Sequence, residues 1–263
     1  MKKGISQEGL KLIASITMLI DHIGYEIIYT LYAGVSAASA ADLPEVRLLY
    51  RLYLLCRCIG RIAFPIFAFL LVEGIHHTKN RQRYALRLAI GALLAEIPYN
   101  LVVSGSISGP KQSIMATLLL GFLAVHYMEK CRTLAWKPVV LLPFAVLAEV
   151  FRVDYGWEGI VLIALFELSR EMYSPNLIRT GGMIVLFHYM SSYVFQIGGF
   201  SIPMQVLGAL SMLFIANYDG QKRTYSKAVQ WGFYLFYPAH LLVLWAIGRM
   251  IPRILLLGVS IAI

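Results

Sequence analysis

The most constraining feature of this chain is a series of apolar runs, each long enough to cross a bilayer, that carry ionisable side chains deep inside them. Crossing a hydrocarbon core of about 30 Å takes roughly 20 helical residues. Of the 263 residues, 59% are hydrophobic and 14% charged, with a mean hydropathy of +0.70. A water-soluble domain has too little interior for that apolar fraction, so lipid must supply the missing solvent. In lipid only helices and closed barrels satisfy their own backbone, and these runs are too long for barrel strands. The expected fold is therefore all-α: a polytopic membrane bundle of about nine transmembrane helices around a polar mid-membrane cavity. The apolar runs lie at 11–33, 49–75, 86–104, 113–128, 138–152, 157–169, 180–197, 203–217 and 228–250. No internal repeat or linker divides them, so 1–263 reads as a single transmembrane domain.

Lys2 and Lys3 precede the first run, but Asp21 and His22 interrupt it and no small-residue cleavage site follows. The first span is expected to stay in the protein. The net charge of +9 raises the question of nucleic acid, yet the basic residues fall in alternate loops. Lys79, Arg81 and Arg83 share one such side with Lys130, Arg132 and Lys137, with Arg170 and Arg179, and with Lys222, Arg223 and Lys227. The other loops carry few: Arg47 beside Asp42 and Glu45, then Lys111, then Arg152. Membrane orientation accounts for this, with the N-terminus cytoplasmic, membrane lipid as the surroundings and no nucleic-acid partner. Nothing in the sequence signals an oligomeric state. Cys56, Cys58 and Cys131 form no paired Cys-x-x-Cys units, so neither a metal site nor a disulfide framework is expected.

Ionisable groups inside membrane helices usually face the bundle interior or a cavity. At about 1.5 Å per residue, His22 lies roughly 16 Å beyond Lys11, and Arg61 some 22 Å from His76. By the same arithmetic His240 is about 20 Å from Lys227, and Glu96 about 13 Å from Arg87. Asp21, His22, Arg61, Glu96 and His240 thus share one middle slab. Asp21 and His22 diverge by about 100° on their helix, so a carboxylate from another span is the better candidate to orient His22. Arg61 with Asp21 or Glu96 also fits a structural ion pair, and a histidine in a helix is often a satisfied core residue. Pro65, Pro98 and Pro238 each free a carbonyl one turn earlier, in helices that carry a slab residue. The stretch His76-His77-Thr78-Lys79-Asn80-Arg81-Gln82-Arg83, continuing to Arg87, suits either anionic lipid or the phosphates of a cytosolic cofactor. On the opposite side, Asp154-Tyr155-Gly156-Trp157-Glu158-Gly159 suits an interfacial belt or a mouth that attracts an amine.

Several of these segments resemble the TraX family. They are Leu10-Lys11-Leu12-Ile13 leading into Leu19-Ile20-Asp21-His22-Ile23-Gly24, then Ile59-Gly60-Arg61-Ile62-Ala63-Phe64-Pro65 running on to Glu73-Gly74, then Glu96-Ile97-Pro98-Tyr99-Asn100. The Asp154–Gly159 block and Phe236-Tyr237-Pro238-Ala239-His240 continue the likeness. The resemblance implies an acetyl-CoA-dependent acetyltransferase in the bacterial cytoplasmic membrane, acting on an acceptor such as pilin or another exported protein, or a small molecule. On that expectation His22, Asp21, Arg61 and His240 are catalytic candidates. His76, His77, Arg81, Arg83 and Arg87 would hold the donor, and Glu96, Asn100, Asp154, Tyr155, Glu158 and Tyr237 the acceptor. Two other classes compete. A secondary transporter also carries midplane charges, though usually with repeated halves, and an assembly factor needs only packing surfaces.

Overall fold

The computed structural model describes residues 4–38, 43–190, 194–197, 199–221 and 227–261. Lys2, Lys3, Asp42, Lys222 and Arg223, used above for orientation, lie outside the described residues. The chain is built from α1 (Gln7–Ile23), α2 (Tyr29–Ala38), α3 (Pro44–Gly60), α4 (Ala63–His77), α5 (Arg81–Ser104) and α6 (Ile114–Met128). These are followed by α7 (Lys137–Val150), α8 (Gly156–Leu168), α9 (Pro175–His188), α10 (Met212–Ile215) and α11 (Lys227–Ile261). A π-helical turn, Gly24–Ile28, joins α1 to α2 directly after His22 and Ile23.

Among the described residues, four helices are long and apolar enough to cross a membrane: Gln7–Ala37, Pro44–His77, Arg81–Ser104 and Trp231–Ile251. The protein is a helical membrane protein, with fewer such helices than the nine expected. The reason is length. α6, α7, α8 and α9 have 15, 14, 13 and 14 residues, and at about 1.5 Å per residue none of them spans a core of about 30 Å. Two apolar runs also adopt other structure. The run 180–197 ends as helix at His188 and resumes as strand β1 (Val194–Ile197), which pairs antiparallel with β2 (Phe200–Pro203). The run 203–217 is a 3₁₀ helix, Met204–Ser211, followed by the four-residue α10. Helix α11 extends past the expected end at 250 to Ile261.

The prolines act unequally. α5 continues through Pro98 and α11 through Pro238. Ahead of Pro65 the helix is interrupted at Arg61 and Ile62, whose amides bond only three residues back, to Cys58 O at 3.3 Å and Ile59 O at 3.2 Å. Helix α4, beyond the break, is almost wholly buried from Ala63 to Ile75 and packs against α1, α6 and α8. It forms the centre of the core, where Phe69 meets Phe166 edge-on at 5.7 Å. The connection between α4 and α5 marks one end of the bundle, the basic end. The loops 105–113 and 151–155 lie together at the far end. There Gln112 N donates to Arg152 O at 3.1 Å and Asp154 N donates to Gln112 O at 2.9 Å.

Candidate functional site

Helices α1 and α3 approach closely because of a glycine. A Cβ on Gly60 would fall 2.2 Å from an oxygen of the Asp21 carboxylate. This contact sets Asp21 between two guanidinium groups one turn apart on α3 and its break. Arg57 Nη1 donates to Asp21 Oδ2 at 2.6 Å, and Arg61 Nη2 donates to Asp21 Oδ1 at 3.0 Å. Arg61 also donates through Nε to Arg57 O at 3.0 Å and through Nη1 to Gln205 Oε1 at 2.9 Å. Its three nitrogens are therefore all committed, whereas Arg57 donates to Asp21 through Nη1 and lines the adjoining cavity. The pairing of Asp21 with Arg61 satisfies the need of buried charge for a partner.

His22, the next residue on α1, faces α11. Its Nδ1 lies 2.7 Å from His240 Nε2, and His240 Nδ1 lies 2.7 Å from the Phe236 carbonyl oxygen. A carbonyl only accepts, so His240 Nδ1 carries a proton. In a neutral His240 the Nε2 is then the acceptor, and His22 Nδ1 is the donor. Hydrogen-bond accounting thus leaves His22 Nε2 as the nitrogen with a lone pair. The group that orients His22 is an imidazole, in place of the carboxylate expected from sequence. His240 is buried, and Tyr237 packs against both histidines, its ring 6.2 Å from His22 and 5.8 Å from His240.

A cavity of about 280 Å³ runs from this cluster toward the far end of the bundle. Asp21, His22, Arg57 and Arg61 line one part of it, and Tyr99, Tyr237, Lys111, Asp154 and Tyr155 another. Tyr155 holds a left-handed backbone (φ 65°) at the start of α8, and its ring lies 4.0 Å from that of Phe64. Asp154 is fixed by its backbone: its carbonyl accepts the Thr117 hydroxyl, and its Oδ1 accepts from Tyr155 N at 3.2 Å. Burial raises the pKa of this loop carboxyl, against the opposing pull of Arg61 and Lys111.

Other expected site residues fall outside this cavity. Glu96 accepts from Asn100 Nδ2 at 2.8 Å, and the Gln112 amide, turned so that its nitrogen faces the carboxylate, donates to both oxygens at 3.1 Å. Glu96 and Asn100 thus tie α5 to the far-end loop, and Glu96 leaves the group of slab residues that line the cavity. Glu158 lies beside Gly156 at the start of α8, on the side of Glu149.

A second cavity, also about 280 Å³, opens at the basic end. Lys11, His77, Thr78 and Arg87 are among its lining residues, and Phe67, Met115, Leu118 and Phe233 line both cavities. The basic stretch therefore divides. His77 and Arg87 face this chamber. His76 instead meets Glu167 at 2.7 Å, Arg81 is forked onto Glu129, and Arg83 is exposed on the outer surface of α5. Sequence reasoning missed Lys11, Arg57 and Gln205 as site residues. For Arg57 a signal existed, its i,i+4 spacing from Arg61. For Gln205 none did, because a 3₁₀ helix repeats every three residues and α-helical spacing misplaces its inward face.

A family described as TraX protein matches residues 6–248. A relative from Dichelobacter nodosus, described as probable fimbrial assembly protein FimC, serogroup H1, is 28% identical over 209 residues, covering 72% of this chain and 80% of its own. No solved structure matches.

Proposed function

The chain belongs to the TraX family, and from that premise we propose that it is a multi-pass acetyltransferase of the bacterial cytoplasmic membrane, with its N-terminus in the cytoplasm. It would move acetyl from cytosolic acetyl-CoA to an amine or hydroxyl, such as a pilin or other exported N-terminus, at the outer face. One observation carries the reading. A basic chamber at one end and a histidine-bearing chamber toward the other share a single wall of four side chains. That is the layout needed for a donor and an acceptor that arrive from opposite sides.

In this reading Lys11, Arg87 and His77 receive the phosphates of the donor, and the thioester reaches the wall formed by Phe67, Met115, Leu118 and Phe233. The acceptor amine enters past Lys111 and is held by Asp154. It attacks the thioester carbonyl while His22 Nε2 takes its proton. The oxyanion of the tetrahedral intermediate sits against Arg57, whose guanidinium lines the cavity. Arg61 and Asp21 position Arg57. Collapse breaks the carbon–sulfur bond, the imidazolium returns its proton to the departing thiolate, and an amide and free CoA result. His240 keeps His22 in the tautomer with Nε2 unprotonated.

The test follows radiolabelled acetyl from acetyl-CoA in membranes containing wild-type or His22→Ala protein. Transfer by the wild type and its loss in the variant is the expected result. Equal labelling would remove His22 from the reaction, and no labelling of any acceptor by wild type would remove the enzyme. The likeness to the Dichelobacter fimbrial assembly protein favours one other role, non-catalytic assembly of a surface fibre. That role would be supported if His22→Ala and Arg61→Ala proteins fold and fully complement a deletion.

A further inference from the structure

Helices α4, α6 and α8 all end at the basic end of the bundle, at His77, Met128 and Leu168. A helix C-terminus carries partial negative charge and favours cations. The chain nevertheless places three carboxylates there: Glu73, Glu129 and Glu167. Glu73 is neutralised by contact with Arg170, and Glu129 by the fork of Arg81. Among the described residues, Glu167 has neither a lysine nor an arginine partner. Its side chain is 8% exposed and faces only the imidazole of His76, at 2.7 Å. Glu167 is thus a buried carboxylate, close to three helix ends, whose one close partner is an imidazole.

His76 Nε2 is also 3.7 Å from Glu129 Oε1. One ligand atom from each of His76, Glu129 and Glu167 lies within 4.8 Å of the others. Tetrahedral Zn²⁺ with bonds of about 2.0–2.2 Å to nitrogen and oxygen holds its ligands about 3.3 Å apart, inside that spread. We propose that His76, Glu129 and Glu167 bind a divalent transition-metal ion, Zn²⁺ in the first instance, which pins the ends of α4, α6 and α8 together. Glu167 and the three helix ends offset part of the charge of the ion, and Glu129, already paired with Arg81, supplies a further oxygen donor. Arg81 forks both oxygens of Glu129, with Nη2 on Oε1 at 3.1 Å, and so fixes the carboxylate while the second lone pair of Oε1 is left for the metal, as outer partners of metal ligands commonly do. The exposed edge at His76 leaves the fourth position to water. Because the three ligands come from three separate helices, no sequence spacing announces them.

The experiment uses the full chain in detergent, stripped with a chelator, loaded with Zn²⁺, desalted and analysed for bound metal, with affinity from competition against a chromogenic chelator. Wild type should retain a single equivalent. Glu167→Gln, close to isosteric, and His76→Ala should each bind at least about tenfold more weakly, and Zn²⁺ should raise the Tm of wild type but not of Glu167→Gln. Cys131→Ser, which removes the nearby thiol, should bind like wild type. Absence of retained Zn²⁺ in wild type, or equal retention by Glu167→Gln, overturns the proposal. The measurement needs neither donor nor acceptor, so its outcome is independent of the acetyl-transfer reading.

Discussion

Replacing His240 with alanine separates the two histidines. In the folded protein His240 contributes one acceptor to His22 Nδ1 at 2.7 Å, and Phe236 O fixes which nitrogen of His240 accepts. Removing that acceptor costs one neutral hydrogen bond, with a net value of about 0.5–1.5 kcal/mol. The His22 tautomers lose that much discrimination. The single-turnover rate of acetyl transfer should therefore fall by roughly 2- to 13-fold, by RT ≈ 0.59 kcal/mol and the same range. If His22 is the base, as proposed, His22→Ala should cost about 10²–10⁴-fold. His240→Gln, whose amide oxygen can accept from His22, should recover part of the loss. Rates would be measured with saturating acetyl-CoA and equal amounts of folded protein in nanodiscs. A His240→Ala defect as large as that of His22→Ala would refute the assignment and move the base to His240. An unchanged rate would refute the orienting role.

Asp21→Asn leaves Arg57 and Arg61 without their carboxylate, and loss of one member of a buried ion pair costs about 3–5 kcal/mol. Chemical denaturation in mixed micelles should read a loss of that size, and a loss within 0.5 kcal/mol or so, as at ordinary surface sites, would show the fork to be idle. Arg87→Ala should raise the KM for acetyl-CoA about tenfold or more with little change in kcat, because a charge-assisted phosphate contact is worth about 1.5–3 kcal/mol. The same variant with unaltered KM would place the donor elsewhere. Asp154 has a folded pKa raised above its ordinary value of 3.8. The folded state then binds more protons than the unfolded one, so stability falls as pH rises from 3.8 through the folded pKa. Asp154→Asn should therefore raise Tm at neutral pH and give no advantage in acid below that window, while acceptor transfer is lost. A Tm gain that persists unchanged at acidic pH would contradict the linkage.

The sequence made the membrane setting and the polar cluster around α1 legible because charges in apolar runs need an explanation that depth arithmetic can supply. Asp21, His22, Arg61 and His240 converge as that arithmetic indicates. The arithmetic measures height and is blind to azimuth, which is why Glu96 shares their depth yet turns to Asn100 and Gln112. Among the described residues four helices, against nine apolar runs, are long and apolar enough to cross, for a related reason. Apolar content alone does not separate a 24-residue helix long enough to cross, such as α5, from a buried 13-residue one such as α8. The basic stretch was legible as charge but not as pairing. Arg81 and His76 are claimed by Glu129 and Glu167, which approach from helices far away in sequence.

The contact between Gly60 and Asp21 also bears on how this fold can change over time. With 2.2 Å between the site of a Cβ at 60 and the carboxylate at 21, the two positions are one choice rather than two. A side chain at 60 would also meet Asp21 Cβ, at 2.3 Å, so the two helices would have to part, and parting forfeits both guanidinium partners. Relatives should therefore either keep glycine and aspartate together or have exchanged them together with Arg57 and Arg61. A chain that altered one of the four alone would reach its neighbours in sequence space only through a poorly folded intermediate.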